Sequence, residues 1–227
     1  ADVIVSVCPP GAAVDVAAAV SDAGFNGTYV DVNAIAPATA RSIDARFKHF
    51  VDGGVVGPPV HAAGTTRLYL SGESGDLAHE VAALWKDTSL ETRVVDGGAG
   101  AASAVKVCFA AWTKGTAALL LAIRALASAE NVENALLAEW ATSLPDLDDQ
   151  ARRAAIGNAP KAWRFAGELD EIAKGFAAHD LPAGFATAAC EVYQRLAEFK
   201  DVSGTTLQDV INALRLPGDG RTPTAPA

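Results

Sequence analysis

Apolar residues follow two different rhythms along these 227 residues. Up to about residue 97, short β-branched runs alternate with Ala-rich amphipathic stretches. Residues 3–7, 27–32, 49–56, 66–71 and 92–95 have the composition of strands. Residues 14–23, 38–47 and 76–86 carry apolar side chains at helical spacing. Strands alternating with helices predict an α/β sheet that is at least partly parallel. From about residue 99 the pattern is helical only, over 101–129, 131–144, 147–156, 160–178, 182–199 and 206–216. At 1.5 Å per residue the first of these is about 40 Å long. Asn131 and Thr205 read as N-caps, and Pro182 suits a first helical turn. The expected organisation is an α/β domain over 1–98, an all-helical domain over 99–216, and a Pro- and Gly-rich flexible tail over 217–227.

Composition narrows the possible partners. The formal net charge is −9, and nothing in the sequence forms a basic face, so neither nucleic acid nor an anionic membrane is an expected partner. The best candidate for a bilayer span, 117–126, is short and carries Arg124. Cys8, Cys108 and Cys190 lie far apart in apolar contexts, which reads as three buried, reduced thiols in a cytoplasmic protein. No Cys or His spacing suggests a metal site. The chain has no methionine and opens directly on a strand, so its natural start is expected upstream.

The segment Gly97-Gly98-Ala99-Gly100-Ala101-Ala102-Ser103-Ala104-Val105-Lys106 concentrates the chemical interest. A β-branched run leads into a glycine turn, the turn opens a long apolar helix, and a lysine lies about two turns inside. Three readings compete. Gly98-x-Gly100-x-x-Ser103 has the outline of a dinucleotide-binding loop, but that motif needs a further strand after its helix, and none is predicted. Small residues also let a helix pack closely on a sheet. Finally, a lysine so deep in an apolar helix is snorkelling, paired or working. The loops at the strand ends, Cys8-Pro9-Pro10-Gly11, Asn33-Ala34-Ile35-Ala36-Pro37 and Gly53-Gly54, are the default ligand sites of an open α/β sheet.

The glycine turn, small residues and Lys106 at the start of a long helix resemble the signature of the β-hydroxyacid dehydrogenases, which include 3-hydroxyisobutyrate and 6-phosphogluconate dehydrogenases. Four other segments agree in order. Val5-Ser6-Val7-Cys8-Pro9-Pro10 resembles the family's proline-bearing loop beside the cofactor. Val30-Asp31-Val32-Asn33-Ala34-Ile35-Ala36-Pro37 resembles its Asp-x-Ser-Thr-x-x-Pro loop. Val51-Asp52-Gly53-Gly54-Val55-Val56-Gly57-Pro58-Pro59 resembles its substrate loop, and Gly64-Thr65-Thr66-Arg67-Leu68-Tyr69-Leu70-Ser71-Gly72 the strand after it. The run from Trp163 to Ile172 resembles a 6-phosphogluconate dehydrogenase-like branch with a distinct helical C-terminal domain.

The resemblance implies a partial Rossmann-like, doubly wound sheet followed by an all-α domain. It implies an NAD(P)-dependent oxidoreductase acting on a small hydroxy acid or related substrate, with NADP or NAD as cofactor. Lys106 is then the general acid/base. Cys8, Pro9, Pro10 and Asn33 fall in the cofactor-binding positions. Gly53, Gly54, Gly57, Thr113 and Lys114 fall near the substrate. The sequence also departs from the family. The nucleotide-binding Gly-x-Gly-x-x-Gly unit is expected ahead of Ala1. Pro58 stands in the substrate loop and cannot donate an N–H. Ala110 replaces an asparagine one turn after the lysine, which leaves Thr113 as the nearest polar residue on that face. Glu168 and Glu171 share a helix with Arg164 and read as ordinary helix salt bridges. Ala117, Leu120, Leu121, Arg124 and Ala125 form a stripe that predicts, as the resemblance also implies, a homodimer through the helical domain. The alternative is a truncated or non-catalytic helical dimer or binding protein that has lost the cofactor site.

Overall fold

The computed structural model describes residues 1–215; the expected tail at 217–227 and the end of the last expected helix, Leu216, lie outside the described residues. The chain forms two compact units, the first made of Ala1–Thr113 and Gly167–Thr187, the second of Lys114–Ala166 and the chain from Ala188 on. The first unit is built on a five-stranded sheet of β1 (Val3–Ser6), β2 (Thr28–Asp31), β3 (His49–Val56), β4 (Arg67–Ser71) and β5 (Glu91–Val94), in that spatial order. All neighbours are parallel except β3 and β4. The mixed sheet follows from chain length. The connection from β3 to β4 contains no helix, whereas the parallel steps are bridged by α1 (Ala13–Asp22), α2 (Pro37–Asp44) and α3 (Gly75–Ala83).

Both faces of the sheet are covered. Tyr29 and Phe50 pack with Ala13, Ala17, Ile35, Ala40 and Ile43 on one side. Val30, Val51, Leu68 and Leu70 pack with Ala78 and Val81 on the other. This double burial explains why the strands read as near-continuous apolar runs rather than as alternating ones.

Helix α4 (Ala101–Ala129) runs from the first unit into the second. By length and composition alone it is long and apolar enough to cross a membrane, which the shorter 117–126 window did not suggest. Its first turn packs on the sheet, and Arg124 is 3% exposed, ion-paired with Glu133 and Asp148 and 6.0 Å from the centre of the Trp140 ring. The helix ends in a Schellman motif, with the Val132 N–H bonded to the Ala127 carbonyl and the Asn131 N–H to that of Ser128. Asn131 adopts φ +58°. It therefore closes α4 rather than capping the next helix, contrary to expectation, because asparagine tolerates the left-handed conformation that this motif requires.

Helices α5 (Glu133–Ser143), α6 (Leu147–Asn158), α7 (Ala162–Ala177), α8 (Gly184–Arg195) and α9 (Leu207–Arg215) complete the chain. The cap of α9 is Thr206, not Thr205. Thr206 and Asp209 bond each other's backbone N–H in a capping box. In the second unit, Tyr193 is fully buried edge-on to Phe165 and donates to the Lys114 carbonyl. The stripe expected to face a partner is used inside the chain, since Leu120, Leu121, Arg124 and Ala125 are all buried. The apolar positions that α4 leaves exposed are Phe109, Trp112, Leu119 and Leu126. Cys108 beside them is also exposed, so not all three thiols are buried.

Candidate functional site

Four polar residues stand in register across the first four strands: Ser6, Asp31, Asp52 and Ser71. All four are buried. A buried carboxylate must be hydrogen-bonded or neutralised, and each aspartate organises a different part of the site.

Asp52 holds the start of α4. Its carboxylate accepts the Gly100 N–H at 3.1 Å, the Ser103 N–H at 2.8 Å and the Ser103 hydroxyl at 2.6 Å. Ser71 accepts the Ala102 N–H at 3.0 Å and donates to the Gly98 carbonyl. Two sheet side chains thus take up amides of the helix start that would otherwise face a ligand. This excludes the dinucleotide reading of the glycine turn, because Gly100, Ala102 and Ser103 have no N–H left for a pyrophosphate. Burial pushes the Asp52 carboxyl up, opposed by the bonds from Ser103, Gly100 and Ser71.

Asp31 holds the loops after β1 and β2. It accepts the Asn33 backbone N–H and side-chain amide, both at 2.9 Å. The Asn33 amide also donates to Ser6, and its oxygen accepts the Cys8 N–H at 2.5 Å. Asn33 is 2% exposed and both its amide protons are taken. Its side chain therefore ties the Cys8-Pro9-Pro10 loop to β2 and has no donor left for a ligand. Burial pushes the Asp31 carboxyl up to about 6, against the lowering effect of the Asn33 bonds and with Asp52 adding to the rise.

Lys106 is half-buried one turn after Ser103. A Cβ on Gly54 would lie 2.8 Å from the Ala102 carbonyl oxygen and 3.0 Å from the Lys106 Cβ. Asp52 and Gly54 share one face of β3, two residues apart, just as Ser103 and Lys106 share one face of α4. Asp52 pins the helix, and the bare Gly54 lets the lysine stem lie directly on the strand. Gly53 points to the opposite face, where a Cβ would meet the Asp31 carbonyl oxygen at 2.9 Å. The backbones that approach these two glycines are those of α4 and β2.

The remaining expected residues are more dispersed. Gly57 takes φ +125° where β3 leaves the sheet, and Thr66 closes that loop by donating to the Pro58 carbonyl at 2.6 Å. Ala110 is buried, and the exposed Thr113 turns its hydroxyl back to the Phe109 carbonyl. Lys114 belongs to the second unit, with its Nζ 4.8 Å from the centre of the Phe165 ring. Among the described residues no cluster of His, Cys, Asp and Glu could hold a metal ion. Glu171 makes its helix salt bridge to Lys174, three residues on, and not to Arg164; it also accepts the Ala36 N–H and the Thr39 hydroxyl. Sequence reasoning missed Asp31, Asp52 and Ser103 as organisers of the site. The available signal was a single acid inside each of two apolar strands, where a charge needs a partner.

Comparison with known proteins supports the fold. Residues 127–196 match a domain of unknown function, DUF1932. No curated protein matches the sequence. Among solved structures, the conserved protein MTH1747, of unknown function and described as structurally similar to 3-hydroxyacid dehydrogenases, is 26% identical. Its TM-score is 0.64, over 87% of this chain and 76% of that one. A conserved hypothetical protein from Sinorhizobium meliloti is 25% identical, with a TM-score of 0.66 over 94% of this chain and 74% of the other. The 3-hydroxyisobutyrate dehydrogenase of Mycobacterium tuberculosis is 20% identical, with a TM-score of 0.63 over 95% and 80%. The chain shares with these solved structures a fold of a Rossmann-like sheet followed by a helical region, the fold described for 3-hydroxyacid dehydrogenases. This is the fold that its motifs implied.

Proposed function

We propose that this protein is an NAD(P)-dependent oxidoreductase of small hydroxy acids or related compounds, with Lys106 as its general acid/base. The observation that carries the proposal is the seating of Lys106. A lysine stem lies on a bare glycine, toward the carboxyl end of β3, on a helix whose first turn is fixed by two buried sheet residues. Such fixation suits a group that must meet a reacting atom at one place.

The donor set near β1 fits a nicotinamide end rather than a pyrophosphate. The Cys8 N–H is taken by Asn33, and Pro9 and Pro10 have none. The loop therefore offers apolar rings and carbonyl oxygens, which suit a neutral, flat ring and its ribose. When bound, the nicotinamide accepts or supplies the hydride. Lys106 takes the hydroxyl proton as an alcohol becomes a carbonyl, and returns it in the reverse direction. Its ammonium form also stabilises negative charge growing on the substrate oxygen. Cys8, Pro9 and Pro10 form the cofactor-side wall, with Asn33 holding that wall in place. Gly57 shapes the substrate loop, and Thr113 and Lys114 lie further along α4.

The exposed residues Phe109, Trp112, Leu119 and Leu126 lie three, seven and seven residues apart, so Trp112, Leu119 and Leu126 recur once per heptad along one face of the helix. We infer a homodimer through this face of α4; the resemblance itself implies a homodimer through the helical domain.

The direct test is Lys106→Ala in the full-length protein. Loss of general acid/base catalysis lowers kcat by about 10²–10⁴-fold and removes one limb of the pH–rate profile. Wild-type kcat at every pH would refute the assignment.

A further inference from the structure

Helix α2 begins without a cap of its own. Ala36 holds the N-cap position, is buried, and has no side-chain acceptor to offer. The acceptor comes from α7. Glu171 Oε2 takes the Ala36 N–H at 2.7 Å and the Thr39 hydroxyl at 2.9 Å, across 135 and 132 residues of sequence. Its other oxygen takes the Lys174 ammonium at 2.7 Å. Glu171 is 6% exposed and sits at the positive end of the α2 dipole. Lys174 also pairs with Asp170 at 2.8 Å.

One turn further along α7 lies Gly175. A Cβ there would come within 3.3 Å of Val107 Cγ1 and 3.8 Å of Pro37 Cδ. Val107 directly follows Lys106 on α4. One face of α7 therefore touches both the loop that ends at Pro37 and the helix that carries the lysine. The far end of the same loop is Asn33, which holds the Cys8 N–H.

We propose that α7 is a brace that sets the 33–37 loop and α4 at a fixed spacing, with Glu171 as its positioning residue. The brace rests on the oxidoreductase reading for its purpose, but not for its geometry. Glu171 touches neither substrate nor cofactor. It acts through Ala36 on the loop, and through Asn33 on the wall formed by Cys8, Pro9 and Pro10. Cofactor affinity is then set in part by a residue from the C-terminal helices.

The experiment compares wild type, Glu171→Gln and Glu171→Ala in the full-length protein. It reads hydrogen exchange at the Ala36 and Cys8 amides, and NADPH and NADH affinity by fluorescence titration. Glu171→Ala is expected to speed exchange at both amides and to weaken cofactor binding, each by about tenfold. Glu171→Gln, which keeps a carbonyl acceptor, is expected to stay close to wild type. Faster exchange at Ala36 alone, with Cys8 and affinity unchanged, would make Glu171 a helix cap only and overturn the brace. Should wild type bind neither nucleotide, the oxidoreductase reading fails, and the Cys8 amide alone decides the brace: unchanged exchange there overturns it. If Glu171→Ala does not fold, Gly175→Ala applies the same three readouts at the Val107 contact, and no change in any of them overturns it.

Discussion

Asp31 places an ionisable carboxyl in the sheet with no exposed surface, so the stability of the first unit depends on pH. Its pKa is raised from 3.8 to about 6, first by burial, with the Asn33 bonds opposing and Asp52 contributing. Tyr29 on the same strand, also buried, is raised as well. The sign follows from proton counting. Between about pH 4 and 6 the folded chain holds a proton on Asp31 that the unfolded chain has released, so stability falls as pH rises through this window. A displacement of about two units corresponds to about 3 kcal/mol, lost by pH 6 and constant above it. Asp44 and Asp52 are raised too and act in the same direction, so the comparison must be with Asp31→Asn. That variant removes the titration while keeping one acceptor for the Asn33 N–H. Hydrogen exchange of the buried β2 amides, followed from pH 4 to 7, reads the opening free energy of this unit. The wild-type curve should fall by about 3 kcal/mol more than that of Asp31→Asn. Parallel curves would refute a buried Asp31 that gives up its proton only near pH 6.

Other predictions concern α4. Gly54→Val forces side-chain atoms against the Ala102 carbonyl and the Lys106 stem; it should cost about 1–3 kcal/mol in thermal unfolding and lower kcat more than it alters KM. Ser103→Ala removes a hydroxyl bonded to a buried carboxylate, with an expected loss of about 1.5–3 kcal/mol in urea unfolding. Trp112, 72% exposed, is part of the proposed seam. Trp112→Asp should convert a dimer to a monomer by light scattering at micromolar concentration, whereas a monomeric wild type would refute the seam.

Much of this architecture was legible in the sequence because the governing forces are local. Five β-branched runs between turn residues became five strands, and the small-residue turn before Ala101 located the start of α4. Errors arose where a residue's role depended on something distant. Asn131 looked like a cap for α5, but the carbonyls of Ala127 and Ser128 behind it claimed that turn. Thr205 lost the cap to Thr206 because Asp209 stands three residues after the latter. The stripe at Leu120, Leu121 and Arg124 is amphipathic whichever neighbour covers it, and periodicity does not name the neighbour. Glu171 makes a helix bridge of the kind read from the sequence, to Lys174, but its second role, holding the Ala36 N–H 135 residues away, was not legible. The candidate site divides in the same way. Lys106 stood out as a charge in an apolar helix, whereas Asp52 and Asp31 gained meaning only once the strands were in register.

The most direct test of the central claim is titration of NADPH and NADH, followed by nucleotide fluorescence, against the full-length protein and its Lys106→Ala variant, together with turnover of small hydroxy acids. Binding by both proteins with turnover by wild type alone is the expected result. No binding of either nucleotide by wild type would contradict it and leave a helical, non-catalytic protein on the same fold.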